Sequence, residues 1–152
     1  MNQNSPSFEA IKVKFAHNQL EVEECQEIRK EVFVKEQGVH PEEEYDGYDE
    51  EARHLIAYCE STPVGTARYR KTEEGIKLER YAVLPQYRRK GVASVLLEKT
   101  LTNLSFSDEK VYLHAQMPVK DFYENAGFKQ ESEKFEEAGI EHVKMSLQKE
   151  HS

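Results

Sequence analysis

Apolar and polar residues alternate along Ile11-Lys12-Val13-Lys14-Phe15, which predicts a strand within residues 8–16, because successive strand side chains point to opposite faces. Asn18 stands where a helix cap belongs. Leu20, Cys25, Ile28, Val32 and Phe33 then recur at roughly helical spacing, so a helix is expected into the mid-thirties, broken by Gly38 and Pro41. The acidic run Glu42-Glu43-Glu44-Tyr45-Asp46-Gly47-Tyr48-Asp49-Glu50-Glu51 reads as a loop. Residues 55–59 form the next expected strand. Ser61-Thr62-Pro63 turns it into a strand over 64–70, and Glu73-Glu74-Gly75 turns that into a strand over 76–84, which Pro85 ends. Two hairpins in succession make an antiparallel meander.

The period changes after Pro85. Val92, Val95, Leu96, Leu97, Leu101 and Leu104 fall at helical intervals, which predicts a helix over 91–104. Residues 111–116 read as a strand. Pro118 opens a short helix that ends near Gly127, a suitable C-terminal cap, and residues 128–132 and 142–147 are closing strands. The expected fold class is mixed α/β, a mostly antiparallel sheet flanked by helices. No repeat or linker divides the chain. One domain is therefore expected over residues 8–148, between a flexible N-terminus (1–7) and a C-terminal tail (149–152).

Composition narrows the function. Hydrophobic residues at 38% and charged residues at 33% describe a polar chain that still folds. The formal net charge of −8 is the wrong sign for a nucleic-acid binder. No apolar run reaches membrane-span length, and Met1-Asn2-Gln3-Asn4-Ser5-Pro6 lacks the basic and apolar parts of a signal peptide, so a cytoplasmic location is expected. Cys25 and Cys59 are too few for a disulfide framework and have no metal-like spacing. His54, His114 and His142 likewise lack ligand spacing, and no metal is expected.

Against this acidic background one segment is basic: Glu79-Arg80-Tyr81-Ala82-Val83-Leu84-Pro85-Gln86-Tyr87-Arg88-Arg89-Lys90-Gly91-Val92-Ala93-Ser94. It reads as strand, basic loop, small residues, helix. Free amides at a helix N-terminus, with the helix dipole behind them, favour phosphate or pyrophosphate. Gly91 removes a side chain where backbone would approach the ligand, and Ala93 stays small for the same reason. Arg88, Arg89 and Lys90 concentrate positive charge there. A solvated basic turn before an ordinary helix would read the same way.

The segment resembles the coenzyme A signature of the GNAT superfamily, Arg/Gln-x-x-Gly-x-Gly/Ala, matched by Arg88-x-x-Gly91-x-Ala93. Downstream, Phe122-Tyr123-Glu124-Asn125-Ala126-Gly127-Phe128 is similar to that family's F-Y-E-x-x-G-F. In the N-terminal half, Arg29-x-x-Val32-Phe33-Val34-x-Glu36-Gln37, Glu44-x-Asp46-x-x-Asp49 and His54 resemble the ElaA-type branch. The resemblance implies a GNAT-like acyl-CoA N-acyltransferase fold. It implies direct ternary-complex transfer of an acyl group from acetyl-CoA to an amine, with no covalent enzyme intermediate. Ala82, Val83, Arg88, Arg89, Lys90, Gly91, Val92, Ala93 and Ser94 would hold the cofactor. Arg29, Phe33, Gln37, His54 and His114 would line the acceptor side. One departure stands out: many members have Asn seven residues before the tyrosine and Ala four before it, where this chain has Gln116 and Val119.

Amine acylation needs a neutral amine, an electrophilic thioester and a proton for the departing thiolate. Tyr123 resembles the family's proton donor. Glu79 is the candidate base, since alternation puts Glu79, Tyr81 and Val83 on one face ahead of the loop; a salt bridge to Arg68 or Arg70 is its structural alternative. His54 and His114 are rival bases. The acidic run could draw a cationic amine inward. The expected acceptor is a small-molecule primary amine. Protein or peptide N-acetylation and a non-catalytic CoA-binding module are the alternatives, and a homodimer is compatible with every reading.

Overall fold

The computed structural model describes residues 11–148; the expected flexible N-terminus (1–7), positions 8–10 of the first strand and the tail (149–152) lie outside the described residues. Strand β1 (Ile11–Phe15) leads through Asn18 into helix α1 (Gln19–Arg29), and the Asn18 side chain accepts the Glu21 amide at 2.9 Å. The helix does not continue unchanged. Over Lys30–Glu36 the ladder widens to π geometry, where the Gln37 amide donates to the Val32 carbonyl at 3.1 Å. A short helix α2 (Pro41–Glu44) follows, then β2 (Arg53–Cys59), β3 (Thr62–Lys71) and β4 (Ile76–Val83). Helix α3 (Val92–Asn103), β5 (Val111–Gln116), α4 (Lys120–Asn125), β6 (Phe128–Gln130), β7 (Phe135–Glu137) and β8 (Ile140–Leu147) complete the order.

The strands run in the order β1-β2-β3-β4-β5-β8-β6, with β7 also on β8. The sheet is mostly antiparallel, and β4 pairs with β5 in parallel through Ile76↔Val111, Lys77↔Tyr112 and Leu78↔Leu113. The mixed α/β class read from the periodicities is the class observed. Strand β7 was not expected. Its hairpin to β8 turns on Ala138 and Gly139, both at positive φ (52° and 77°), the backbone a two-residue primed turn requires.

The described residues group into two compact units. The first holds the chain up to Arg68 together with Arg80–Ser107; its core includes Ile28, Val32, Phe33 and Ala82, with Val39 and Leu84 packed against them. Helix α3 lies close on β3 here, because Gly65 offers no side chain: a Cβ would stand 2.8 Å from Val92 Cγ1 and 3.3 Å from Leu96 Cδ1. The second unit holds Tyr69–Glu79 and the chain from Asp108 on, where α4 packs on β5 and β6 over Leu113, Ala115, Phe128, Val143 and Met145. No helix among the described residues is long and apolar enough to cross a membrane.

Candidate functional site

The basic loop belongs to the first unit. After β4 the chain makes a single tight turn at Pro85–Tyr87, passes through Arg88 in extended conformation, and enters α3 through Arg89 (φ 61°) and Gly91 (φ 87°). Gly91 is the N-cap of α3. A polar cap side chain would occupy one of the first-turn amides; glycine has none, so the Val92, Ala93 and Ser94 amides keep their hydrogen-bonding capacity. Arg89 is exposed and Lys90 half-buried, and among the described residues neither has a carboxylate partner. Arg88 is different. Its Nε donates to the Val83 carbonyl at 2.9 Å, and its two terminal nitrogens meet Glu36 at 2.6 and 2.5 Å. That fork ties the loop to the π segment, and the Arg88 bond holds the Glu36 carboxyl below the usual range. The cationic charge open to an anion is therefore that of Arg89 and Lys90.

The acidic run is not a uniformly solvated loop. Glu42, Glu43, Glu50 and Glu51 are exposed, but Glu44, Asp46 and Asp49 turn inward onto three arginines. Arg29 gives Nε to Glu44 at 2.5 Å and Nη1 to Asp49 at 2.7 Å; Arg68 reaches Asp49 at 2.8 Å and Asp46 at 2.6 Å; Arg80 reaches Asp46 at 3.0 Å. Burial by itself would raise the Asp49 carboxyl, but hydrogen bonds from Arg29, Gln26 and Arg68 hold it well below the usual carboxylate range. Arg29 is 0% exposed, so the expectation that it contacts the acceptor gives way to a scaffold place. Phe33 likewise packs in the core, Gln37 is exposed, and His54 is buried. His54 Nε2–H donates to the Asp49 carbonyl at 2.9 Å, and desolvation pushes the ring below its ordinary value, so it stays neutral. The arginine and acidic spacing was legible in the sequence. Its closure into a neutral cluster of three arginines and three carboxylates was not.

Arg80 sits at φ 60° inside β4, just beyond the last β4–β5 pair at Leu78↔Leu113. A left-handed residue in a strand breaks the regular pleat, and it interrupts the alternation that was expected to carry Glu79, Tyr81 and Val83 on one face. Tyr81 instead donates to Thr100 of α3 at 2.7 Å. Ala82 is buried and Val83 half-buried at the strand end.

In the second unit, Glu79 accepts from Arg70 Nε at 2.7 Å, with Lys77 Nζ at 3.6 Å. The salt bridge to Arg70 foreseen for Glu79 is present. Tyr123 on α4 is 8% exposed and packs edge-on against Phe122 (5.0 Å) and Phe128 (5.9 Å). Phe128 is buried with Tyr123, and Phe122 is half-buried. Burial pushes the Tyr123 phenol upward, which keeps it protonated at neutral pH. His114 on β5 is half-buried, and its Nδ1–H meets Glu137 of β7 at 2.9 Å. Glu137 was missed by sequence reasoning; the Ala138-Gly139 turn behind it was the signal. Among the described residues no group of three or more His, Cys, Asp or Glu side chains is arranged to hold a metal ion.

An uncapped, glycine-started helix behind a basic loop suits a phosphate-bearing ligand. Known proteins agree with that chemistry. Residues 15–149 match the Acetyltransferase (GNAT) domain. Bacillus subtilis YjcF, named an uncharacterized N-acetyltransferase, is 37% identical over 139 residues, covering 89% of this chain and 98% of that protein. Escherichia coli ElaA is 31% identical over 140 residues, covering 86% and 91%; its crystal structure superposes with a TM-score of 0.81 over 91% of this chain and 99% of ElaA. The crystal structure of an acyl-CoA N-acyltransferase from Pseudomonas aeruginosa, 26% identical, superposes with the same score and coverage. Matched by the family's domain over residues 15–149 and by these proteins over most of its length, the chain belongs to the GNAT acetyltransferase family and has ElaA among its relatives.

Proposed function

We propose that the protein is an acetyl-CoA-dependent N-acetyltransferase that moves the acetyl group to a primary amine of a small molecule in one ternary complex. The observation that carries the reading is the start of α3: Gly91 left-handed and without a cap side chain, first-turn amides available, and Arg89 and Lys90 beside them. A pyrophosphate needs that combination of amide donors, local positive charge and small side chains. In this reading the residues from Ala82 to Ser94 named above hold the cofactor, and one catalytic domain spans residues 8–148. Tyr123, kept protonated by burial, supplies the proton that the departing thiolate takes up.

Calorimetric titration with acetyl-CoA and thermal melts test the claim. Ligand at a hundredfold excess over its dissociation constant stabilises the fold by about 2.7 kcal/mol. Gly91→Glu, which puts bulk and negative charge where backbone meets phosphate, abolishes binding with circular dichroism unchanged. Should strain at φ 87° unfold that variant, Arg89→Glu with Lys90→Glu reverses the charge beside the helix start without touching the left-handed glycine. Wild type that neither binds nor melts higher overturns the reading. A thiol-release screen against amines, peptides and aminoglycosides then identifies the acceptor.

A further inference from the structure

One face of the second unit's sheet carries more chemistry than the reading above uses. Lys77 and Tyr112 are register partners, so Lys77, Glu79, Tyr112 and His114 share a face by the two-residue period. The β5–β8 register adds Lys144 opposite His114, and His142 opposite Gln116. The β7–β8 hairpin adds Phe135 and Glu137. Helix α4 packs on the opposite face, over Phe128 and the Leu113–Met145 pair.

On this face the His114 ring is held from two sides. Its Nδ1 meets Glu137 Oε1 at 2.9 Å, and the Phe135 ring stands edge-on at 5.1 Å and 81°. A carboxylate only accepts, so the proton of the neutral ring lies on Nδ1, and Nε2 keeps its lone pair. The His114 side chain is 24% exposed, so solvent reaches it. Glu137 ends a strand at the primed turn, and Phe135 is stacked on His142 at 5.9 Å and 21°. The bond from His114, with Lys77 and His142 nearby, holds the Glu137 carboxyl below the usual range, so it is ionised at neutral pH.

The other candidate bases are committed elsewhere. Protonating Glu79 would break its contacts with Arg70 and Lys77. His54 is 5% exposed and kept neutral by burial. We infer that His114 takes the proton from the acceptor ammonium and that Glu137 is the residue that positions it. This rests on the acyl-transfer reading above. His114 Nε2 accepts one N–H proton, and the freed amine lone pair bonds to the thioester carbonyl carbon. The carbon–sulfur bond then breaks and the thiolate leaves with a proton from Tyr123; the second proton on the acylated nitrogen passes through water to the Tyr123 phenolate, and the imidazolium returns its own to solvent. The ionised Glu137 offsets the charge that the ring gains meanwhile.

Two measurements on the full chain test this. Long-range proton–nitrogen NMR of the free protein reports the tautomer: the neutral His114 ring is expected to carry its proton on Nδ1, and Glu137→Gln to redistribute it. A ring protonated on Nε2 in wild type overturns the inference. The second is the pH dependence of thiol release from acetyl-CoA across the amine panel, with acetyl-CoA affinity measured on each variant. The charged and titratable groups facing His114 are Lys77 and Glu79 of β4, Tyr112 of β5, Glu137 of β7, and His142 and Lys144 of β8. His114→Gln is expected to lose about 10²–10⁴ in turnover and the acidic-limb inflection, with acetyl-CoA affinity kept. Glu137→Gln loses part of that rate and moves the inflection, and Glu137→Asp recovers some of it. Unchanged profiles in both His114→Gln and Glu137→Gln, or the loss appearing in Glu79→Gln instead, overturn the inference and leave acetyl transfer standing. Wild type without acetyl-CoA binding, or without thiol release from any amine, overturns the acyl-transfer reading itself and the base role with it.

Discussion

Asp49→Asn probes the buried ion cluster of the first unit. Asp49 accepts from Gln26 at 2.9 Å, Arg29 at 2.7 Å and Arg68 at 2.8 Å, and its side chain is 11% exposed. Arg29 and Arg68 are 0% and 1% exposed, so neither can turn to water when the charge opposite is removed. Breaking a buried pair costs about 3–5 kcal/mol, against under about 1 kcal/mol for a surface pair. Arg29 keeps Glu44 and Arg68 keeps Asp46, so the lower end, about 3 kcal/mol, is expected. For a chain of this length that is a melting point lower by roughly 6–12 °C. The acid limb gives a second reading. Because the folded carboxyl lies below its unfolded value, its contribution is complete above about pH 4 and is lost as pH falls toward the folded value. Wild-type stability thus rises with pH across that window, and the variant's curve is flatter there. Urea unfolding by circular dichroism at several pH values measures both. A loss below about 1 kcal/mol at neutral pH, with unchanged slope against urea and an unchanged acid limb, would falsify the claim that Asp49 is a buried partner of the two arginines.

Gly75→Ala should destabilise by about 2–3 kcal/mol, because φ is 146° and the new Cβ would collide with the Lys110 carbonyl oxygen that receives the Ile76 amide at the start of the β4–β5 pair. Gly47→Ala, also at positive φ but with open space around it, should cost less, about 1–2 kcal/mol, and equal urea midpoints for the two variants would contradict the steric argument. Tyr123→Phe should lower turnover by about 10²–10⁴-fold with acetyl-CoA affinity nearly unchanged; steady-state kinetics beside calorimetry decide, and equal turnover removes Tyr123 from the mechanism.

Local chemistry made much of this protein legible in one dimension. The alternation at Ile11–Phe15, the Asn18 cap and the apolar spacing of α3 each depend on neighbours within a turn or two, and each element stands where the pattern put it. The same holds for the loop before α3: Arg88, Gly91 and Ala93 carry their own signal, since a helix start needs no distant residue to present its amides.

What escaped were pairings that only a folded chain makes. The widening of the first helix to π geometry over Lys30–Glu36 has no one-residue signature. Strand β7 has only three residues, too few for alternation to stand out, and it becomes a strand because β8 lies beside it. The positive φ at Arg80 is held by bonds to the Glu43 and Glu44 carbonyls and to Asp46, more than thirty residues earlier. Charge was the least legible quantity. In sequence, Arg29 and Arg88 read as cations available to ligands, and Glu44, Asp46 and Asp49 as members of a solvated run. Tertiary structure cancelled the first against the second, and Arg88 against Glu36, leaving Arg89 and Lys90 to an anion. Residue type and spacing thus determined the elements and the helix start that would meet the phosphates. Which charged groups stay available for chemistry depends on burial and on partners far away in the chain, and those were decided only when the chain folded.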